Sequence, residues 1–237
     1  PGFASWLGFS IDSDGARLIV GDPGNPDPLE FVQGQGVAHV AGPTSAWTDA
    51  EILDPTLTTA LFADDRGYAV AIEGVHAVVG SPDGEVHYFR QASGVPEWPE
   101  ISNTEFVNST FGSAVDIADE LVVVGAPEHN NGAGAVALYT PYSATTVADG
   151  LRPVDLVLAG FPPDLLGFAV SATSGRFAAG APGSTRVDVY RRDTFNEEPT
   201  NLNYYRTAQL VAPDTNGSEF GFAVAMTPTR IAVGDPG

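Results

Sequence analysis

Apolar residues in this chain fall in short runs and show no helical spacing. The runs Leu18-Ile19-Val20, Ala77-Val78-Val79, Leu121 to Val124, Phe177-Ala178-Ala179 and Ile231-Ala232-Val233 lack polar alternation. That pattern predicts strands buried on both faces. Each run ends in Gly-x-Pro, and proline cannot continue a hydrogen-bonded ladder. Each is preceded by a glycine, a bulkier residue, a small one (Ser10, Ala69, Ala114, Ala169, Ala223) and a β-branched aliphatic (Ile11, Val70, Val115, Val170, Val224), with Ser113 in the bulky place in the third case. This alternation predicts a first strand with the small side chain on one face, where strands converge on a central channel, and the aliphatic on the other.

The unit occurs five times: LGFSIDSDGARLIVGDP, RGYAVAIEGVHAVVGSP, FGSAVDIADELVVVGAP, LGFAVSATSGRFAAGAP and FGFAVAMTPTRIAVGDP. Its first glycines are Gly8, Gly67, Gly112, Gly167 and Gly221, and its second are Gly21, Gly80, Gly125, Gly180 and Gly234. The two stand 13 positions apart in every copy, while successive copies are 59, 45, 55 and 54 residues apart. A constant unit between variable connections is the signature of a structural repeat. Third strands are predicted at residues 36–40, 85–89, 134–139 and 186–190. More polar fourth strands are predicted at Trp47 to Leu53, Val154 to Leu158 and Tyr204 to Val211, with a weaker one near Trp98 to Ile101. Four antiparallel strands per repeat predict the blades of a β-propeller. The whole of 1–237 reads as one propeller domain with repeat cores 7–23, 66–82, 111–127, 166–182 and 220–236. These make four near-complete blades and a half blade, a segment of a larger, seven-bladed ring or one completed by a partner.

The copies resemble the FG-GAP repeat family, the blades of integrin α-subunit propellers and of many secreted microbial proteins. Phe111-Gly112 with Gly125-Ala126-Pro127 spells the family's name. Gln209-Leu210-Val211-Ala212-Pro213-Asp214 leading to Phe220-Gly221-Phe222-Ala223-Val224 is similar to the family's approach to its first strand. The resemblance implies an extracellular or cell-surface binding and adhesion module, with a protein or glycan partner. Integrin-type blades carry a longer hairpin holding a calcium loop similar to D-x-D-x-D-G. Here the 13-residue spacing leaves room for a tight turn, for which type I′ is expected. Asp12 and Asp14 look like the remnant of such a loop and are its metal candidates. Calcium wants six to eight oxygens, so no cofactor is expected to be required.

Composition narrows the partners. The chain has 237 residues, 30 Asp and Glu, ten Arg, no Lys and no Cys, with a formal charge of −20. Such a surface repels nucleic acid and anionic membrane and suits cations, basic proteins or neutral sugars. No stretch approaches the roughly 18 apolar residues of a membrane span, so no membrane insertion is expected. No disulfide or thiol chemistry is available.

The loops after Gly-x-Pro differ most between copies, and rigid scaffolds carry their binding groups on such loops. Asp22, Asp27, Glu128 and Asn130 are the candidate ligand contacts. Asn108 and Asn216 head glycosylation sequons at equivalent places before two first glycines. His39 and His87 occupy equivalent third-strand positions, which points to packing or surface roles and away from zinc. His76 and His129 complete no ligand motif, and adjacent Asp64 and Asp65 point apart. With no nucleophile motif either, no enzyme is expected. Three functions remain: a binding or adhesion module, a subunit whose open blade edges self-associate into a surface filament or layer, and a lectin-like propeller in which Trp6, Trp47 or Trp98 stacks on sugars.

Overall fold

The structure, a computed structural model, describes residues 6–24, 36–42, 51–53, 65–91, 98–105, 110–119, 121–142, 150–158, 162–193, 204–213 and 218–237. It is an all-β propeller of antiparallel blades. Blade one is β1 (Ser10–Ser13), β2 (Leu18–Asp22), β3 (Val37–Ala41) and β4 (Glu51–Leu53). Blade two is β5 (Ala69–Glu73), β6 (His76–Ser81), β7 (Glu85–Arg90) and β8 (Glu100–Glu105). Blade three is β9 (Ala114–Ala118), β10 (Leu121–Ala126), β11 (Ala135–Tyr142) and β12 (Gly150–Leu158). Blade four is β13 (Val170–Thr173), β14 (Arg176–Ala181), β15 (Arg186–Arg192) and β16 (Tyr204–Val211). The fifth copy contributes the pair β17 (Ala223–Met226) and β18 (Ile231–Gly234). Within each sheet the strands hydrogen-bond in sequence order, and the first strands of successive blades lie against one another. The first strand is therefore the inner one. No helix among the described residues is long and apolar enough to cross a membrane.

The repeat's apolar runs become β2, β6, β10 and β14, which are buried along almost their whole length. The core lies in layers between blades. Ile19 and Val40 pack with Val70, Val79 and Phe89, and Val78 and Tyr88 with Phe111, Val115 and Val122. Val123 and Leu138 pack with Leu166, Val170 and Phe177, and Val187 and Val189 with Val224 and Ile231. The aliphatic three residues after the first glycine faces the preceding blade. Val70, Val115 and Val170 are 7%, 9% and 9% exposed there, whereas Ile11 of blade one is 64% exposed.

The first glycine of each copy has positive φ, between +85° and +97°. It is the third residue of a turn closed by a hydrogen bond from the following residue: Phe9 N–H to Trp6 O, Tyr68 to Asp65, Ser113 to Thr110, Phe168 to Leu165 and Phe222 to Glu219. Positive φ at the third place is the requirement of a type II turn, which glycine meets without strain. The second glycine has a different reason. A Cβ on Gly21, Gly80, Gly125 or Gly180 would stand 1.9 to 2.1 Å from the carbonyl oxygen of the next blade's first glycine, Gly67, Gly112, Gly167 or Gly221. The small residue of the first strand pairs with this second glycine, as Ser10 with Gly21, Ala69 with Gly80 and Ala114 with Gly125. Its size is set by that crowded seam.

The hairpins differ from the type I′ expectation, which needs positive φ at both central residues. Blade two turns on Gly74-Val75 with positive φ at Gly74 alone, and blade four on Ser174-Gly175 with positive φ at Gly175 alone. Copies one and five use four-residue loops, 14–17 and 227–230. The constant spacing of 13 is kept by trading strand residues for loop residues. Trp98, expected near the start of a fourth strand, precedes β8 and is buried; Trp47 lies outside the described residues.

Gly125→Ala is expected to destabilise the fold by on the order of 3 kcal/mol or more, because backbone must move to admit the methyl group. Gly175→Ala meets no atom closer than 4.0 Å. It is expected to cost only about 1–2 kcal/mol, from its positive φ. Urea unfolding of both variants measures the difference, and equal losses would remove the seam as the reason for the second glycine.

Candidate functional site

The turn before each first strand delivers the residue after the glycine to one mouth of the propeller. Phe9, Tyr68, Ser113, Phe168 and Phe222, one from each copy, line a cavity of about 480 Å³ there, with Pro82, Thr110, Pro127, Glu128 and Leu165. The aromatic rings meet in two tilted pairs. Phe9 and Tyr68 have centroids 4.6 Å apart, and Phe168 and Phe222 4.8 Å apart. Trp6 stacks on Phe9 at 6.0 Å and is half exposed. Blade three breaks the ring with Ser113, whose hydroxyl is buried and has no hydrogen-bond partner among the described residues. Thr110, Ser113 and Glu128 make this sector polar, and among the described residues Glu128 is the one charged group in the lining.

Glu128 is thus the candidate from the sequence that reaches the cavity. It is exposed and opens the loop after Gly-x-Pro in blade three, where its N–H donates to Thr110 Oγ1 at 3.1 Å. Asn130 follows on the short helical turn His129–Gly132, exposed and with φ +52°, but is not in the lining. Asp27, Asn108 and Asn216 lie outside the described residues.

Asp22 is 2% exposed, and its Oδ1 accepts the Trp6 N–H at 2.6 Å. Asp235, at the same place in copy five, accepts the Glu219 N–H at 2.8 Å and the Ser218 hydroxyl. The aspartate of Gly-Asp-Pro therefore fastens the turn that carries the aromatic of its own copy. This role was legible from the equivalence of Asp22 and Asp235 in the repeat.

Asp12 and Asp14 join blade one to blade two. Asp12 Oδ2 accepts the Ile72 N–H at 2.8 Å, and Asp14 Oδ2 accepts the Gly74 N–H at 3.0 Å. Asp14 Oδ1 takes the N–H groups of Ala16 and Arg17. With three of four oxygens engaged on backbone, the pair does not fit a calcium site. Among the described residues no group of three or more His, Cys, Asp or Glu is placed to hold a metal. The same two positions recur along the propeller. Asp116 Oδ2 accepts the Ala172 N–H at 2.6 Å, Ser171 Oγ the Met226 N–H at 3.0 Å, and Glu73 Oε1 the Asp119 N–H at 3.0 Å. Polar side chains four and six places after the first glycine staple each blade to the next. Arg17 adds to the first seam, donating to Gln91 Oε1 and lying 5.5 Å from the Trp98 ring.

His39 and His87 share their third-strand place with Asp188 of blade four. His87 is 2% exposed, with Nδ1 2.8 Å from Glu100 Oε1 and Nε2 3.2 Å from Glu85 Oε2. Burial by itself lowers its pKa, but the bonds to the two carboxylates outweigh burial and hold it above the ordinary histidine value. Burial lowers the pKa of His39, partly opposed by Asp22. Asp188 is 1% exposed and held by Arg186, Arg206 and Gln209. These groups lie within their blades and outside the cavity lining. The equivalence of His39 and His87 implied packing or surface roles; His87 is buried and His39 half-buried.

No family model matches the chain, and no curated protein matches it. Among solved structures, the β-propeller domain of Myceliophteria thermophila Cps50 (Swd1) superimposes with a TM-score of 0.57 at 12% identity, over 93% of this chain and 64% of that one. Kluyvelomyces marxianus Hsv2 superimposes with a TM-score of 0.54 at 7% identity, over 87% of this chain and 62% of that one. The chain spans less than two thirds of either. At such identity the likeness is one of propeller fold.

Asp116 supplies a test of the staples. Burial raises its carboxyl to about 6, against the lowering effect of the Ala172 and Ile117 N–H groups. A folded pKa above the unfolded value means stability is full below about pH 4 and falls as pH rises to about 6. The loss is on the order of 3 kcal/mol for a shift of this size. Urea midpoints from pH 4 to pH 7 are expected to show that fall, with His87 adding a further decline above about pH 6.5. Asp116→Asn is expected to flatten the lower part of the curve, and an unchanged slope in this variant would contradict the assignment.

Proposed function

We propose that the chain is a non-catalytic binding module on an FG-GAP-type propeller, and that the aromatic mouth is its binding face. The observation that carries the reading is that one position of a fivefold motif supplies an aromatic ring from four blades to a single cavity, with a polar gap at the fifth. Side chains needed only for packing belong in the layers between blades; these stand at an open rim, and Phe9 and Phe222 are nearly half exposed. Apolar walls with a few placed polar groups are the usual make-up of a ligand site. The FG-GAP assignment rests on the five in-register motifs. The extracellular or cell-surface setting and an adhesive role rest on that resemblance and on the acidic, lysine-free composition.

The lectin-like reading draws on the same mouth, since aromatic faces also stack on sugars.

Protein-observed NMR with a fragment library tests the binding face. Shifts are expected to cluster on Tyr68, Thr110, Phe168 and Phe222. Ser113→Phe, which restores the aromatic of the other four copies, fills the gap and is expected to weaken those fragments at least tenfold without loss of the fold. Fragments that map to the outer strands, or are indifferent to Ser113→Phe, would contradict the proposal.

A further inference from the structure

We infer that the mouth takes the guanidinium of an arginine side chain on a basic protein partner, an inference that rests on the mouth being the binding face. The cavity has two chemically distinct halves. Phe9, Tyr68, Phe168 and Phe222 supply aromatic lining, and the blade-three sector supplies Thr110, Ser113 and Glu128. The faces of aromatic rings carry negative potential and attract organic cations, with arginine the more frequent partner. Among the described residues of the lining the charged group is a carboxylate, Glu128. Arginine suits both halves at once, because its flat, weakly hydrated head stacks on rings and offers paired N–H donors to a carboxylate.

The field of the whole chain points the same way. A formal charge of −20 with no lysine steers basic partners toward the protein and repels acidic ones. A neutral sugar fits the aromatic wall but makes no use of this field, nor of the charge on the Glu128 carboxylate. Glu128 is exposed before binding, so its charge is available to a partner without rearrangement of the blade.

The experiment is a titration of the intact chain, by NMR and by Trp6 fluorescence, with three probes: a blocked Gly-Arg-Gly peptide, the same peptide with citrulline in place of arginine, and a neutral disaccharide. Citrulline keeps the shape and loses the charge. The arginine peptide is expected to bind at least tenfold more tightly than the other two. Its affinity is expected to fall at least tenfold in Glu128→Gln and to weaken with salt. Glu128→Gln changes an exposed side chain, so urea unfolding is expected to match wild type. Equal binding of arginine and citrulline, preference for the disaccharide, or absence of arginine-peptide binding at the mouth would each overturn the inference. If fragments still occupy the mouth in that case, the binding face stands and only the chemistry of its ligand is wrong; if they do not, both fail.

Discussion

Everything in this propeller depends on how closely two backbones approach at each blade boundary. The second glycine of one copy lies against the carbonyl of the first glycine in the next, so near that a single methyl group would overlap it. Close packing of this kind leaves no slack, and a change of one carbon is felt. The approach brings the inner strands together, covers the aliphatic of each following blade, and sets the type II turn that ends in the mouth residue. A motif that looks like one hairpin is the two halves of a joint, each half meeting its complement in a different blade.

Polar groups complete the joint. Asp12, Asp116 and Ser171 accept N–H groups of the next inner strand, and Asp14 and Glu73 those of the next hairpin. Edge N–H groups left buried without acceptors are costly, so a side chain reaching across the seam does the work of a ladder bond. Much of the acidity of the inner strands is thereby used inside the molecule. Among the described residues, the carboxylate in the lining of the mouth is Glu128, on the loop that follows Gly-x-Pro in blade three. The proposed binding face is most distinctive where the repeat departs from itself: Ser113 replaces an aromatic, and Glu128 lines the same cavity.

The fold was legible because its period is long-range and regular: five copies in register identify blades without any local prediction of secondary structure. Strand ends were less so, since Phe168 and its equivalents belong to turns and not to the strand that follows them. Asp12 and Asp14 looked like a calcium remnant because a repeat read one copy at a time cannot show which blade a side chain addresses. Asp22 looked like a loop ligand because it stands where the variable loop begins, although its match to Asp235 was visible. Glu128 was legible as a loop residue, but the cavity was not. Its walls come from residues up to two hundred positions apart, and only the closure of the seams brings Phe9 and Phe222 to one rim.

The account is tested most directly by nuclear Overhauser contacts between glycine Hα protons across blade boundaries. Strong Hα–Hα contacts are predicted between Gly125 and Gly167 and between Gly180 and Gly221, pairs that belong to different copies of the motif. Contacts confined to glycines of one copy, such as Gly112 with Gly125, and absent between copies would contradict the seam and the mouth built upon it.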